Sequence, residues 1–407
     1  MDFSKLALKY KTPLYIYDFD YISTQFYSLK EAFRARKSLI CYALKANSNL
    51  SILKHLAALG AGCDCVSVGE IKRALLAGVA KYKIIFSGVG KDDCEIEFAL
   101  KEDILMLNIE SEAELKRVEK IAQNLKTIAR ISIRVNPDVD AKTHHYISTG
   151  LKKNKFGVDA DTAKKLYIYC KNSPFLEPIG IHCHIGSQIL DIAPYSDATA
   201  VTATLLRSLK ALEIDIKFFD VGGGLGIRYK DEVTIEPYDF AQAVLANLGG
   251  TDVTTVCELG RFLVGNSGYL LTKVLYEKHN GAKRFVVVDA AMNDLIRPSL
   301  YDAYHEIEAI NKNGGGTLAD VVGPICESGD FLGKDVLLPQ LNHGDLLVVK
   351  SAGAYGFSMS SNYNSRLRAA EVAIEGGRER LIRKREEFED LIRLEKECLE
   401  GANEENR

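Results

Sequence analysis

The chain has 407 residues, 47% of them hydrophobic and 26% charged, with a formal net charge of −3. That length accommodates two domains with sizeable cores, and the balance is that of an ordinary soluble enzyme. No long basic run suggests nucleic-acid binding, no apolar run is long enough to span a membrane, and Met1-Asp2-Phe3-Ser4-Lys5 lacks the apolar core of an export signal. The nine scattered cysteines read as reduced thiols of a cytoplasmic protein, and Cys63-Asp64-Cys65 has the wrong spacing for the usual zinc pair.

Residues 13–17 read as a strand and 20–34 as a helix. An alternation then begins. Apolar strand patterns at 39–43, 62–66, 84–87, 104–107, 129–135, 180–184, 218–221 and 255–258 are separated by helical patterns such as 50–59, 69–77, 92–101, 112–124, 160–172, 195–212 and 237–248. About eight such units predict a closed (β/α)8 barrel of the TIM type. After Arg261 the texture changes. Short strand patterns at 270–278, 284–289, 321–322, 345–350 and 371–374, separated by Gly, Asn and Pro, predict a mostly β domain, a β-sandwich or Greek-key barrel. Residues 386–400 mix apolar and charged side chains as a solvated closing helix does. The expected domains are 30–264 for the barrel, and 1–29 with 265–407 for the β-rich part and its C-terminal helix.

Four strand ends carry chemistry. Cys41-Tyr42-Ala43-Leu44-Lys45-Ala46-Asn47 puts one lysine where the first barrel strand opens onto the mouth. Such a lysine is either a salt-bridged rim residue or a nucleophilic amine that forms a Schiff base with an aldehyde cofactor. Asp220-Val221-Gly222-Gly223-Gly224 follows the seventh strand, where glycines let the backbone approach a phosphate; the alternative is a tight strand-to-helix turn. Cys257-Glu258-Leu259-Gly260-Arg261 ends the eighth. Its Glu and Arg are either a plain ion pair, or the Glu partners a cofactor's ring nitrogen and the Arg a phosphate or a substrate carboxylate. His182-Cys183-His184 places two imidazoles on one side of a strand. No third ligand at fitting spacing completes a zinc site, so no metal is expected; a flat imidazole can instead pack on a planar cofactor.

Taken together, these segments resemble the diaminopimelate decarboxylases, pyridoxal-phosphate enzymes of the alanine racemase and ornithine decarboxylase fold type. The resemblance covers nearly the whole chain. It also includes Phe86-Ser87-Gly88-Val89-Gly90-Lys91, Arg134-Val135-Asn136-Pro137, Tyr146-Ile147-Ser148-Thr149-Gly150-Leu151, Met292-Asn293-Asp294, Ile296-Arg297-Pro298, Gly323-Pro324-Ile325-Cys326-Glu327-Ser328-Gly329-Asp330 and Gly353-Ala354-Tyr355-Gly356-Phe357. It implies decarboxylation of meso-2,6-diaminopimelate to L-lysine and CO2, the last step of lysine biosynthesis, with pyridoxal 5'-phosphate as cofactor. Lys45 would hold the cofactor covalently and His184 would stack on its ring. Ser187, Gly222, Gly223, Gly224 and Tyr355 would hold its phosphate, within a site that also takes in Leu259, Gly260 and Arg261. Glu258 would face the pyridine nitrogen. Arg261, Arg297 and Tyr301 would take the substrate's distal carboxylate, with Tyr355 beside them, and Glu327 would take the distal ammonium. Cys326 would be the proton donor, and Cys326 and Glu327 would come from the partner subunit of a homodimer with shared active sites.

Three departures from the family pattern stand out. Leu259 replaces a proline, which predicts a looser turn. Ala291 replaces a glycine and adds a methyl group near the site. His145 stands where relatives often carry proline, in the loop expected to cover the site. The alternatives are decarboxylation of ornithine, arginine or carboxynorspermidine, racemisation of an amino acid, or non-catalytic cofactor binding that regulates a related enzyme. The paired Arg297 and Glu327 suit a substrate with a second amino-acid head, and Cys326 suits turnover.

Overall fold

The computed structural model describes residues 1–140, 154–312 and 314–404. The segments containing His145 and Tyr146 to Leu151 lie outside the described residues. The chain forms two compact units, one of residues 21–264, the other of 1–20 with 265–407.

The first unit is a closed barrel of eight parallel strands: Ser38–Ala43, Gly62–Cys65, Ile84–Phe86, Met106–Ile109, Ala129–Arg134, Leu176–His182, Phe218–Asp220 and Thr254–Glu258. The eighth closes on the first, with Cys41 opposite Glu258. Two strands are displaced from the expected positions. The fourth starts at Met106 rather than 104, and the sixth ends at His182, leaving His184 in the loop beyond it. Helices follow the strands because local chemistry starts and stops them. Asn49 caps Leu50–Leu59 through the Ser51 N–H, and Gly60 ends it at φ +98°. Asp92 and Glu95 form a reciprocal capping box at Asp93–Glu102.

Inside the barrel, Cys41, Ile85, Met106, Ile179 and Val256 belong to one apolar cluster. Nearer the C-terminal ends of the strands, the buried side chains turn polar: Asp64, Ser87, Asn108, His182, Asp220 and Glu258. The apolar cluster supplies the burial energy, about 25 cal/mol per Å². The polar group costs energy unless its members satisfy one another.

The second unit is a mixed nine-stranded sheet. Its path runs Phe331–Leu338, Thr317–Val322, Lys283–Val288, Gly268–Asn280, Leu14–Asp18, Ala370–Glu375 and Arg378–Arg383. Gly268–Asn280 changes partners along its length. Its first half pairs with Leu346–Val349 and its second with Lys283–Val288, with a register shift between Val274 and Tyr276. Leu14–Asp18 pairs in parallel with Ala370–Glu375, joining the start of the chain to its end. Leu6, Leu14, Ile16, Leu271, Val348 and Val372 pack as its core. The closing helix spans Phe388–Glu404. All nine cysteines are free. Among the described residues, no helix is long and apolar enough to cross a membrane.

Candidate active site

Lys45 sits in the short turn Leu44–Ala46 after the first barrel strand. The turn is pinned by Tyr42, whose buried hydroxyl donates to the Asn47 carbonyl at 2.8 Å. Lys45 Nζ lies 3.4 Å from Asp64 Oδ2. Its side chain is 41% exposed while Asp64 is buried, so the amine is the accessible member of the pair. Burial pushes the Asp64 carboxyl up, nearby Glu258 pushes it further, and Lys45 only partly offsets them.

Glu258, the last residue of the eighth strand, is buried among polar partners. His182 Nε2 lies 3.2 Å from its Oε2, Asn108 Nδ2 donates to Oε1 at 3.3 Å, and Ser87 Oγ lies 3.5 Å from Oε1. Burial opposes its charge, but His182, Lys45 and Asp220 outweigh burial and hold the carboxyl down at about 2. It is an anion throughout the physiological range.

His184 Nδ1 accepts the Gly223 N–H at 3.0 Å, which leaves the proton of the neutral ring on Nε2. Burial, then Arg134 and Lys45, keep this imidazole well below its usual pKa. Arg134 is itself held by Glu110 at 2.7 Å, and Glu110 also accepts the Gly157 N–H.

The glycine turn is shaped by close approach. A Cβ on Gly223 would lie 2.1 Å from the Glu258 carbonyl oxygen, and one on Gly222, at φ +65°, would lie 2.7 Å from His184 Nδ1. The N–H groups of Gly222 and Gly223 go to Asp220 Oδ1 and His184 Nδ1. What these two residues contribute is therefore space and anchorage of the neighbouring side chains. Gly223→Ala is expected to lower Tm and abolish cofactor retention, because overpacking costs about 1–3 kcal/mol and here the obstacle is backbone; thermal unfolding with and without cofactor checks this.

Arg261 donates to Tyr229 Oη at 2.6 Å and to Ser187 Oγ at 3.1 Å. A serine oxygen that accepts from a guanidinium keeps its own proton to give to an anion. Leu259 directly follows the eighth strand. Its N–H donates to the Cys41 carbonyl at 3.1 Å, a bond across the barrel's closing seam that proline has no N–H to make. Gly260 packs with its Cα side against Ala43 and Ala46.

The remaining candidates belong to the second unit. Arg297, at the start of the helix Arg297–Tyr301, is buried, and its Nη1 lies 2.8 Å from His305 Nε2. His305 Nδ1 faces the Lys350 carbonyl at 2.9 Å, so Nδ1 carries the proton and Nε2 accepts from the arginine. Tyr301 is half-buried at the other end of that helix. Cys326 and Glu327 are exposed. Their loop is tied by Asp330, which accepts the Met292 N–H at 2.7 Å and the Ile325 N–H at 2.6 Å. Tyr363 Oη donates to Glu327 Oε2 at 2.9 Å. Ala291 is fully buried with Met292 and Ile325, and its methyl group fills the space beside Gly323. Tyr355 holds φ +57°, a costly conformation for a non-glycine residue.

Sequence reasoning missed Tyr229, His305, Asn108 and the Glu110–Arg134 pair. The even spacing of Asn108, on the fourth strand, and Glu110, just past its end, was the one signal available for those two. Tyr229 and His305 meet their arginines only through folding.

This barrel mouth offers an accessible lysine, a buried anion, a neutral imidazole and a glycine turn with a serine and an arginine beside it. That donor set fits an aldehyde cofactor with a basic ring nitrogen and a phosphate, and so defines a pyridoxal-phosphate class of barrel enzyme. A family model for the pyridoxal-dependent decarboxylase, pyridoxal binding domain, matches residues 19–265. The diaminopimelate decarboxylase of Campylobacter jejuni is 60% identical over 402 residues, covering 98% of this chain and all of the relative. That of Neisseria meningitidis serogroup B is 50% identical, over 98% of this chain and 97% of its own length. The crystal structure of the Helicobacter pylori diaminopimelate decarboxylase complexed with L-lysine matches with a TM-score of 0.95 at 56% identity, over 98% of this chain and all of that one. The chain belongs to the diaminopimelate decarboxylase family.

Proposed function

We infer that the protein removes CO2 from meso-2,6-diaminopimelate with pyridoxal 5'-phosphate and releases L-lysine, as a cytoplasmic homodimer. The reading rests on the meeting, in one barrel mouth, of the accessible Lys45 amine with the anionic Glu258 and the neutral His184, and on full-length likeness to diaminopimelate decarboxylases. When bound, the cofactor supplies an electron sink for the pair left by the departing carboxylate.

The chain's own residues do the rest. Lys45 holds the cofactor's aldehyde carbon and carries protons to and from the substrate amine. Glu258 fixes a positive charge at the ring nitrogen. His184, neutral and flat, covers the ring without competing for that charge. Ser187, Arg261 and Gly224 would take the phosphate, with Tyr355, while Gly222 and Gly223 would leave room for it. Arg297 binds the distal carboxylate, its guanidinium aimed by the neutral His305, with Tyr301 and Arg261 nearby in function. Glu327 binds the distal ammonium. Cys326 returns a proton to the α-carbon, and Cys326 and Glu327 reach each site from the partner subunit.

The test is turnover with lysine and CO2 followed together, offering meso-diaminopimelate, ornithine, arginine and carboxynorspermidine in parallel. Lysine formed only from diaminopimelate supports the reading. Turnover of a simple diamine precursor alone refutes it. Arg297→Ala is expected to raise KM for diaminopimelate by about 10- to 100-fold, the worth of a charge-assisted hydrogen bond, with a smaller fall in kcat. An unchanged KM removes Arg297 from the distal carboxylate.

A further inference from the structure

Behind Glu258 lies a second buried carboxyl group that the functional reading leaves without a task. Asp220 ends the seventh barrel strand and is fully buried. One oxygen, Oδ1, accepts the Gly222 N–H at 2.9 Å. The other, Oδ2, is buried with no hydrogen-bond partner. Donor atoms of His182, Asp220 and Glu258 all lie within 4.8 Å of one another. Two carboxylates this close, away from water, cannot both carry charge.

Their contacts decide which keeps it. Glu258 has His182, Asn108 and Ser87 against its two oxygens. Asp220 has one backbone N–H. The proton therefore belongs on Asp220, at Oδ2, the oxygen that otherwise has nothing to bond.

We propose that Asp220 is a positioning residue: a neutral carboxylic acid that donates a hydrogen bond from Oδ2 to Glu258 and so keeps Glu258 anionic at the cofactor ring, while its Oδ1 anchors the glycine turn. The electrostatics agree. Burial and the adjacent Glu258 push Asp220 well above the usual carboxylate range. Asp64 also faces it and pushes it further up, and the thiols of Cys41, Cys183 and Cys257 around it are themselves pushed up by burial and stay neutral. A single side chain then couples the ring end of the cofactor site to its phosphate end. This rests on reading Glu258 as the ring nitrogen's partner.

Two variants separate a proton donor from a negative charge. Asp220→Asn keeps an oxygen for the Gly222 N–H and places an N–H where the acid proton was. Asp220→Val keeps neither. Infrared spectra of the cofactor-loaded enzyme at pH 7, with and without carboxyl-13C aspartate, are expected to show a protonated aspartic-acid band that Asp220→Asn lacks. Cofactor affinity is expected to stay within about threefold in Asp220→Asn and to fall by about tenfold or more in Asp220→Val, the worth of a hydrogen bond to a charged group. Loss of an ionised-carboxylate band in Asp220→Asn overturns the proposal. So does equal weakening in both variants, wild-type affinity in Asp220→Val, or a stoichiometric metal ion in the purified enzyme. Should Asp220→Val fail to fold, the infrared comparison and the Asp220→Asn affinity still decide. Undiminished cofactor affinity in Glu258→Gln would instead remove the reading of Glu258, leaving the protonation of Asp220 to the infrared result.

Discussion

Replacing Lys45 with alanine is expected to lower kcat by about 10²- to 10⁴-fold, the range a positioned proton-transfer group supplies, and to abolish covalent retention of the cofactor. The argument is geometric. Lys45 extends from a turn fixed by Tyr42 and by the capped helix that follows, so its amine is held at the mouth although its tip is accessible. Asp64 beside it is pushed towards neutrality by burial and by Glu258, which weakens the grip of that ion pair on the amine. Borohydride treatment of the cofactor-loaded enzyme followed by peptide mapping should find the adduct on Lys45. An adduct on another lysine would transfer the role there. Restoring activity to Lys45→Ala with a small added amine would separate the loss of a proton carrier from a collapse of the site.

The second large effect is expected at Glu258. Glu258→Gln should lower kcat by about 10²- to 10³-fold, the cost of losing one preorganised electrostatic partner, with the fold intact. Glutamine keeps the shape and one acceptor oxygen for Asn108 and Ser87, but it cannot hold charge at a ring nitrogen. The sign of the pH dependence follows from the depressed value of about 2. The unfolded carboxyl titrates at about 4.3, so the stability that its charge contributes is present above that pH and is lost as pH falls towards 2. An acid limb of kcat in the neutral range therefore belongs to another group. Steady-state kinetics with circular dichroism of the variant check both points, and an unchanged kcat would move the ring partner to a different carboxyl.

Much of this architecture could be read in advance because each barrel unit is written locally. The alternation of apolar runs and capped helices gave eight strands near their observed places. Displacements arose where an apolar run outlasted the ladder, as at residues 183–184, where pairing stops at His182 although the pattern continues. The second unit was less legible. Phe331–Leu338 is interrupted by Gly333, Lys334 and Asp335, and Arg378–Arg383 is charged at four of its six positions. Both lie at the ends of the sheet path, and exposed edge strands carry such residues to resist further pairing. The mixed pairing of Leu14–Asp18 with strands more than 250 residues away leaves no local mark at all.

By itself the sequence determined the barrel, the lysine at its first strand end, the glycine turn after the seventh strand and the Glu-x-Gly-Arg after the eighth, because strand periodicity and turn chemistry act over a few residues. Only the tertiary structure decided the charge states and aims of these groups. His182 meets Glu258 across 76 positions, Arg261 meets Ser187 across 74, and the Leu259 N–H finds Cys41 only when the barrel closes. Whether a carboxyl is an anion or an acid depends on what burial removes and which neighbours remain, and closure of the chain on itself sets both.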